Sequence, residues 1–247
     1  MARTHAPIKF AGSFLGDTRH VCAFFASTDD EYRTLLPFIR DGFVAGDRLV
    51  RVIPQDRHDD IDRLRAGGVD VDRARESHQL ETLLSENTYL RKGRFDQEAM
   101  LDLIQQVFKA GRTLGFPLTR LMAHAEHVTQ DFDGANSFVE YEAKLNYILP
   151  DYPDLVVCTY DLSRVNAGVA MDVMRTHPMV IIGGILQENP FFVPPDEFLR
   201  EVAERRSIRG ESTLPRSHST TPRGRGSHDR QSFGHDSYGD DSHGRRA

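Results

Sequence analysis

The stretch "LVVCTYDLSR", Leu155–Arg164, carries the residues whose order most resembles a reaction site. Mostly apolar residues climb to Tyr160 and Asp161, and the chain then turns polar. A carboxylate at the end of a buried strand is how a nucleotidase holds its magnesium. That chemistry needs a second part, a Gly-rich loop whose amides wrap the phosphates, with a Lys and a Ser or Thr. The place for it is the turn after the first strand, which reads "FFASTDDEY" and has neither Gly nor Lys. Asp29, Asp30 and Glu31 sit where phosphate would lie and would repel it. ATP hydrolysis is therefore not expected. Asp161 becomes a candidate ligand contact or turn residue rather than a metal holder.

Other chemistries find no better footing. Gly-x-Ser-x-Gly is absent, and the two Cys are not spaced as a metal pair. "HAEH" (124–127) has the His-x-Glu half of a zinc deaminase site without the Cys half. On a regular strand His124 and Glu126 share a face and His127 points the other way, so the three cannot hold one ion. The motif reads as a polar patch near a strand end or as part of a ligand pocket. No metal site and no cofactor are expected.

Ligands of open α/β sheets bind beyond the carboxyl ends of the strands. That edge would carry Ser27, Gln55, Glu126, Tyr160 and Asp161, with Gly183 and Gly184 beside them. Tyr160 and Asp161 lead, because an aromatic face beside a carboxylate suits a small, partly polar molecule. The competing reading has Asp161 accept hydrogen bonds from the amides of the following turn. Tyr141 and Glu142 are further candidate contacts, against core packing for the first and a helix-start charge for the second. His177-Pro178 reads as a helix stop, since the residue before Pro avoids the helical region.

These residues need a sheet to position them, and the hydrophobic pattern supplies one. "HVCAFFA" (20–26) is a buried strand, and Thr28 to Glu31 have capping-box spacing. Tyr32, Leu35, Leu36, Ile39 and Phe43 then recur at helical spacing until Gly46. Residues 47–54 form a strand and 59–68 a short helix. A short strand is expected near 69–74 or 77–80, and low order around "SENTYLRKGR". Met100 to Leu114 form one helical face, followed by a strand over 118–128. A capping box at Ser137 to Glu140 opens a helix to about Leu149. The strand ending at Asp161, a helix capped by Asn166, a strand over 179–186 and a closing segment complete the set. Alternating strands and helices predict an α/β fold, a mainly parallel sheet with helices on both faces.

Composition limits the partners. Hydrophobic residues make up 39% of the 247, below the usual globular share, so part of the chain is expected not to fold. Residues 205–247 are rich in Arg, Ser, Gly, His and Asp and read as a disordered tail. The tail holds nine Arg against one Glu and four Asp, or +4. With the whole chain at −6, residues 1–204 carry −10, a poor charge for direct nucleic-acid binding. Residues 1–17 read as an N-terminal extension and 18–204 as the folded domain. Cys22 and Cys158 lie in apolar runs and read as buried free thiols. No signal-length or membrane-length apolar stretch occurs, which points to the cytoplasm.

Several ordered motifs carry a resemblance. "HVCAFFASTDDEYRTLLPFIRDGFVAGDRLVRVIP", "YEAKLNYIL", "CTYDLSR", "RTHPMVIIGG" and "NPFFVPP" resemble, in this order, those of the methanogen/methylotroph sensory domain family, MEDS, described for DcmR-type regulators. The match spans about residues 18–200. It implies a degenerate RecA/KaiC-like sheet without a working phosphate loop. It also implies a non-enzymatic sensory or regulatory module for small molecules such as hydrocarbon derivatives, acting through a regulatory protein partner. One departure stands out: the family's central strand tends to a Gly-Glu-Met-type motif, whereas this chain has "HAEHVTQDF", where only Glu126 corresponds. The other readings are a divergent nucleotide-binding ATPase-like protein and a protein-binding scaffold.

Overall fold

The computed structural model describes residues 7–88, 90–91, 94–125 and 132–209, and the side chains within them except those of 90–91, 94, 132–136 and 209. The chain divides into two units, Met1–Glu211 and Ser212–Ala247, and the second lies outside the described residues.

In chain order the elements are β1 (Ile8–Phe10), β2 (Ser13–Leu15), β3 (His20–Phe25), α1 (Thr28–Ala45), β4 (Arg48–Ile53), α2 (Asp60–Ala66), α3 (Val71–Glu76) and β5 (Leu80–Leu84). There follow α4 (Ser85–Thr88), β6 (Leu90–Arg91), β7 (Arg94–Phe95), α5 (Gln97–Thr113), β8 (Thr119–His124), α6 (Phe132–Ile148) and β9 (Leu155–Asp161). The last are α7 (Ala167–Thr176), β10 (Met179–Ile182), β11 (Ile185–Glu188) and α8 (Pro195–Arg209). Seven strands form one sheet in the order β11-β10-β3-β9-β8-β4-β5. Every neighbouring pair is parallel except β10 with β11. This is the expected α/β class.

Alternation along the strands sorts side chains to two cores. Cys22, Val50, Val52, Leu121, Val156, Cys158 and Tyr160 pack with Phe108 of α5, Phe138 of α6 and Val173 of α7. Val21, Ala23, Leu49, Met122, Val157 and Ile181 face the other way and pack with Leu35, Phe38 and Ile39 of α1 and Leu64 of α2. The helices after β3 and β4 thus cover one face, and those after β8 and β9 cover the other. Where neighbouring strands send their helices to opposite faces, a crevice opens at the carboxyl edge. The β3/β9 and β4/β8 boundaries are such places.

Two glycines show why the "GFVAGD" turn needs them. Gly46 caps α1 at φ +80°, the left-handed region that side chains resist. A Cβ on Gly42 would lie 2.7 Å from Arg120 Nε. Only glycine lets that guanidinium cross α1, where it pairs with Asp47 at 2.7 Å and donates to the Phe38 carbonyl at 2.6 Å.

Some expectations change. Residues 8–15, expected to be an extension, form the β1–β2 hairpin, with Phe10 and Leu15 buried in the α1-side core. Of the two places expected for a short strand, residues 71–76 are helix, because Asp70 caps them through the Arg73 amide, and the strand is β5, which begins at Leu80. The strand over 179–186 is a hairpin, turned by Gly183 and Gly184 at positive φ. Helix α6 begins at Phe132, five residues before the expected cap. Residues 205–209 are not tail but the last turn of α8, where Arg205 binds Asp172 at 2.8 Å and Arg206 binds Glu140 at 2.5 Å. Within "SENTYLRKGR", Ser85–Thr88 are helical, while Tyr89, Lys92 and Gly93 lie outside the described residues.

Candidate functional site

Two buried polar clusters flank the sheet, one on each face. The first sits at its carboxyl edge under the start of α1. Ser27 is extended and caps the helix, its hydroxyl accepting from the Asp30 amide. With Asp29, Asp30 and Glu31 in the first turn, the helix dipole is already served, and no phosphate cradle exists there. Glu31 turns inward beside His124 of β8 (Nε2 to Oε1, 3.1 Å) and Arg57 (Nη2 to Oε2, 2.5 Å). Arg51 of β4, 1% exposed, holds Asp60 with two nitrogens at 2.5 and 3.2 Å. The Tyr32 hydroxyl donates to the same carboxylate. Burial pushes the Glu31 carboxyl up, but His124, Arg51 and Arg57 outweigh it and hold it at about 2.

The second cluster lies beneath α6. Glu142, fully buried, accepts from the Tyr160 hydroxyl at Oε1 (3.1 Å). Its other oxygen, Oε2, is 3.2 Å from His20 Nε2, 3.3 Å from His177 Nε2 and 3.6 Å from Cys158 Sγ. The donor atoms of these four residues all lie within 4.8 Å of one another, the spacing of a metal-ligand set. Burial and the neighbouring His177 push His20 down to about 4. Burial raises the Glu142 carboxyl, but hydrogen bonds and charge from the two imidazoles, in their protonated form, more than offset it and hold it at about 2. Burial and the Glu142 charge push the Cys158 thiol well up.

The expected site residues separate accordingly. Tyr160 and Asp161 do not form one pocket, because adjacent strand residues face opposite layers. Tyr160 is buried against α6, while Asp161 accepts from the Ser163 amide (2.8 Å) and hydroxyl (2.6 Å), as a turn residue does. Tyr141 packs its ring against Phe95 and Phe138, so it serves the core. Glu142 is no helix-start charge; it lies in the second half of α6 and points into the protein. Ser27 and His124 stand at the first cluster. Glu126 and His127 fall outside the described residues. The sequence reading named neither His20 nor Cys158 as a site residue, although it read Cys158 correctly as a buried free thiol, and it saw His177 only as a helix stop. Their one signal was that all three lie in or next to buried apolar strands, where a polar side chain needs a partner.

The structure defines an open, mainly parallel α/β domain whose first strand–helix turn is acidic and lacks glycine. The chain belongs to the MEDS family, "MEthanogen/methylotroph, DcmR Sensory domain", whose model matches residues 19–178. Among solved structures, it is similar to a KaiC-like protein from the hyperthermophilic archaeon Pyrococcus horikoshii, at 17% identity and a TM-score of 0.47. That likeness covers 67% of this chain and 70% of the other. A search of curated proteins gives no match. Among the described residues no helix is long and apolar enough to cross a membrane.

Proposed function

We propose that this protein is a non-enzymatic sensory module of the cytoplasm. It binds a small molecule at the carboxyl edge of the sheet and passes the change to a regulatory protein partner. The observation that carries this reading is membership of a sensory-domain family over residues 19–178. The acidic β3–α1 turn supports the non-enzymatic part, because Asp29, Asp30 and Glu31 occupy the position a nucleotide phosphate would need. The ligand contacts are assigned to Ser27, His124 and the polar groups beside them, Glu31 and Arg57. These offer a hydroxyl, an imidazole, a carboxylate and a guanidinium within one edge, a set suited to a small alcohol, aldehyde or acid. By family, the ligand class is a simple hydrocarbon derivative.

A thermal-shift screen with short-chain alcohols, aldehydes and carboxylic acids tests the reading, since a ligand bound only to the folded state raises its melting temperature by mass action. A saturable rise with one class, weakened by His124→Gln, is expected. ATP hydrolysis with Mg²⁺ that vanishes in Asp161→Asn would overturn it. So would the absence of any shift alongside recovery of a stoichiometric protein partner, which favours a scaffold.

A further inference from the structure

The cluster beneath α6 poses a problem of charge that its own residues do not solve. Asn146 donates its amide hydrogens to the carbonyls of Thr176 (2.8 Å) and Ala143 (3.2 Å), which leaves its Oδ1 as an acceptor. That oxygen lies 3.1 Å from His20 Nδ1, so Nδ1 carries the hydrogen. His177 Nδ1 faces the Val173 carbonyl at 2.8 Å, which fixes the same tautomer. With neutral imidazoles both Nε2 atoms present lone pairs to Glu142 Oε2, and His177 Nε2 makes no hydrogen bond. The imidazole ring centroids lie 3.9 Å apart with the planes tilted by 38°, so two imidazolium charges there would repel. Among the described residues no Lys or Arg pairs with Glu142. Acceptors converge on one point, and a cation belongs there.

We propose that His20, Glu142, Cys158 and His177 form a four-coordinate zinc site. A tetrahedral Zn²⁺ with bonds of about 2.0–2.3 Å holds its ligand atoms about 3.3–3.7 Å apart. The separations here, 3.2, 3.3, 3.6 and, from Cys158 Sγ to His20 Nε2, 3.9 Å, bracket that range. The donor set of two imidazoles, a thiolate and a carboxylate suits a borderline-soft ion that accepts tetrahedral geometry. Charge balances as well. Zn²⁺ with one carboxylate, one thiolate and two neutral imidazoles is neutral, which a buried site requires. Binding releases the Cys158 proton to solvent, so the ion replaces the thiol hydrogen.

The surroundings are those of a metal site. Asn146 and the Val173 carbonyl orient the two imidazoles, and the Tyr160 hydroxyl holds the free carboxylate oxygen. A surface cavity of about 370 Å³, lined by Arg19, His20, Asn146, Tyr147 and Phe192 among others, reaches His20 from outside and offers a way in. All four ligands belong to the protein, so the ion is structural and ties β3, β9 and the α7–β10 turn to α6. The inference does not depend on the sensory reading.

The test uses the full chain. Protein expressed in zinc-supplemented medium should hold zinc stoichiometrically, with X-ray absorption showing a zinc–sulfur distance of about 2.3 Å. Imidazoles anywhere in a chain are general metal ligands, so sulfur ligation is the deciding readout. Chain unfolded, stripped with chelator and refolded with Co²⁺ should show tetrahedral visible bands and a thiolate-to-cobalt charge-transfer band. Cys158→Ser should abolish that band, and Cys22→Ser should keep it, since the Cys22 thiol is directed at the Met179 carbonyl. Absence of sulfur-bound zinc in the isolated wild-type chain would overturn the proposal even if no variant refolds. So would a charge-transfer band that survives Cys158→Ser.

Discussion

Each face of the central sheet buries a carboxylate carried by a covering helix, but the two are neutralised differently. On the α1 face Glu31 and Asp60 share Arg51 and Arg57, whose charges are permanent and whose planar forks match carboxylates, with His124 as the one titratable partner of Glu31. On the α6 face Glu142 meets two imidazoles and a thiol, whose charge depends on protons or on a bound ion. The α1 side therefore pairs its buried carboxylates mainly with permanent cations of the chain. On the α6 side, by the zinc proposal, the balancing charge is an ion the chain must acquire, and that side is the more sensitive to metal.

Breaking a permanent pair gives the largest effect. Arg51→Met should leave Asp60 buried without its cation and cost about 3–5 kcal/mol, read from the denaturant midpoint. Glu142→Gln should cost far less in metal-free protein, because Gln can still accept from Tyr160 and can donate to an imidazole. If the two variants lose equal stability, the contrast between the faces fails. Next comes Gly42→Ala, which forces its Cβ onto the Arg120 guanidinium and should cost about 1–3 kcal/mol by overpacking, with Arg120→Lys partly relieving it.

In metal-free protein, acid should separate the faces without mutation. His20 titrates at about 4 when folded and near 6.5 when unfolded, so the unfolded chain takes its proton first. Stability from this group is lost as pH falls from about 6.5 to 4. Glu31, held at about 2 against an ordinary value of 4.5, keeps its contribution until pH falls below about 4.5 and loses it towards 2. Melting temperature measured from pH 7 downward should fall in two stages. Asn146→Ala should change the upper stage and leave the lower one in place. The smallest effect belongs to Ser27→Ala, about 1 kcal/mol for the lost cap of α1, with the α6 face unaffected.

Local rules read the elements well. Continuous apolar runs placed β3, β4, β8 and β9 within a residue or two where they are described. The cap Asn166 placed α7, its side chain accepting from the Gly168 amide, while the α1 cap is Ser27, one residue before the Thr28 that the capping-box spacing suggested. The failures have physical causes too. Ser137 looked like a cap only because the first turn of α6 had no apolar periodicity to announce it. A glycine pair between apolar runs did not reveal that the chain reverses there.

The sequence by itself determined the α/β alternation, the lack of a phosphate loop, the acidic domain charge and the turn role open to Asp161. Strand order and strand face were decided only in three dimensions. His20, Cys158 and His177 are far apart along the chain, and they meet Glu142 because β10, β3 and β9 are adjacent and parallel in register. Spacing rules see ligands that one turn or one strand brings together. They cannot see four residues assembled by a sheet and the helix that covers it.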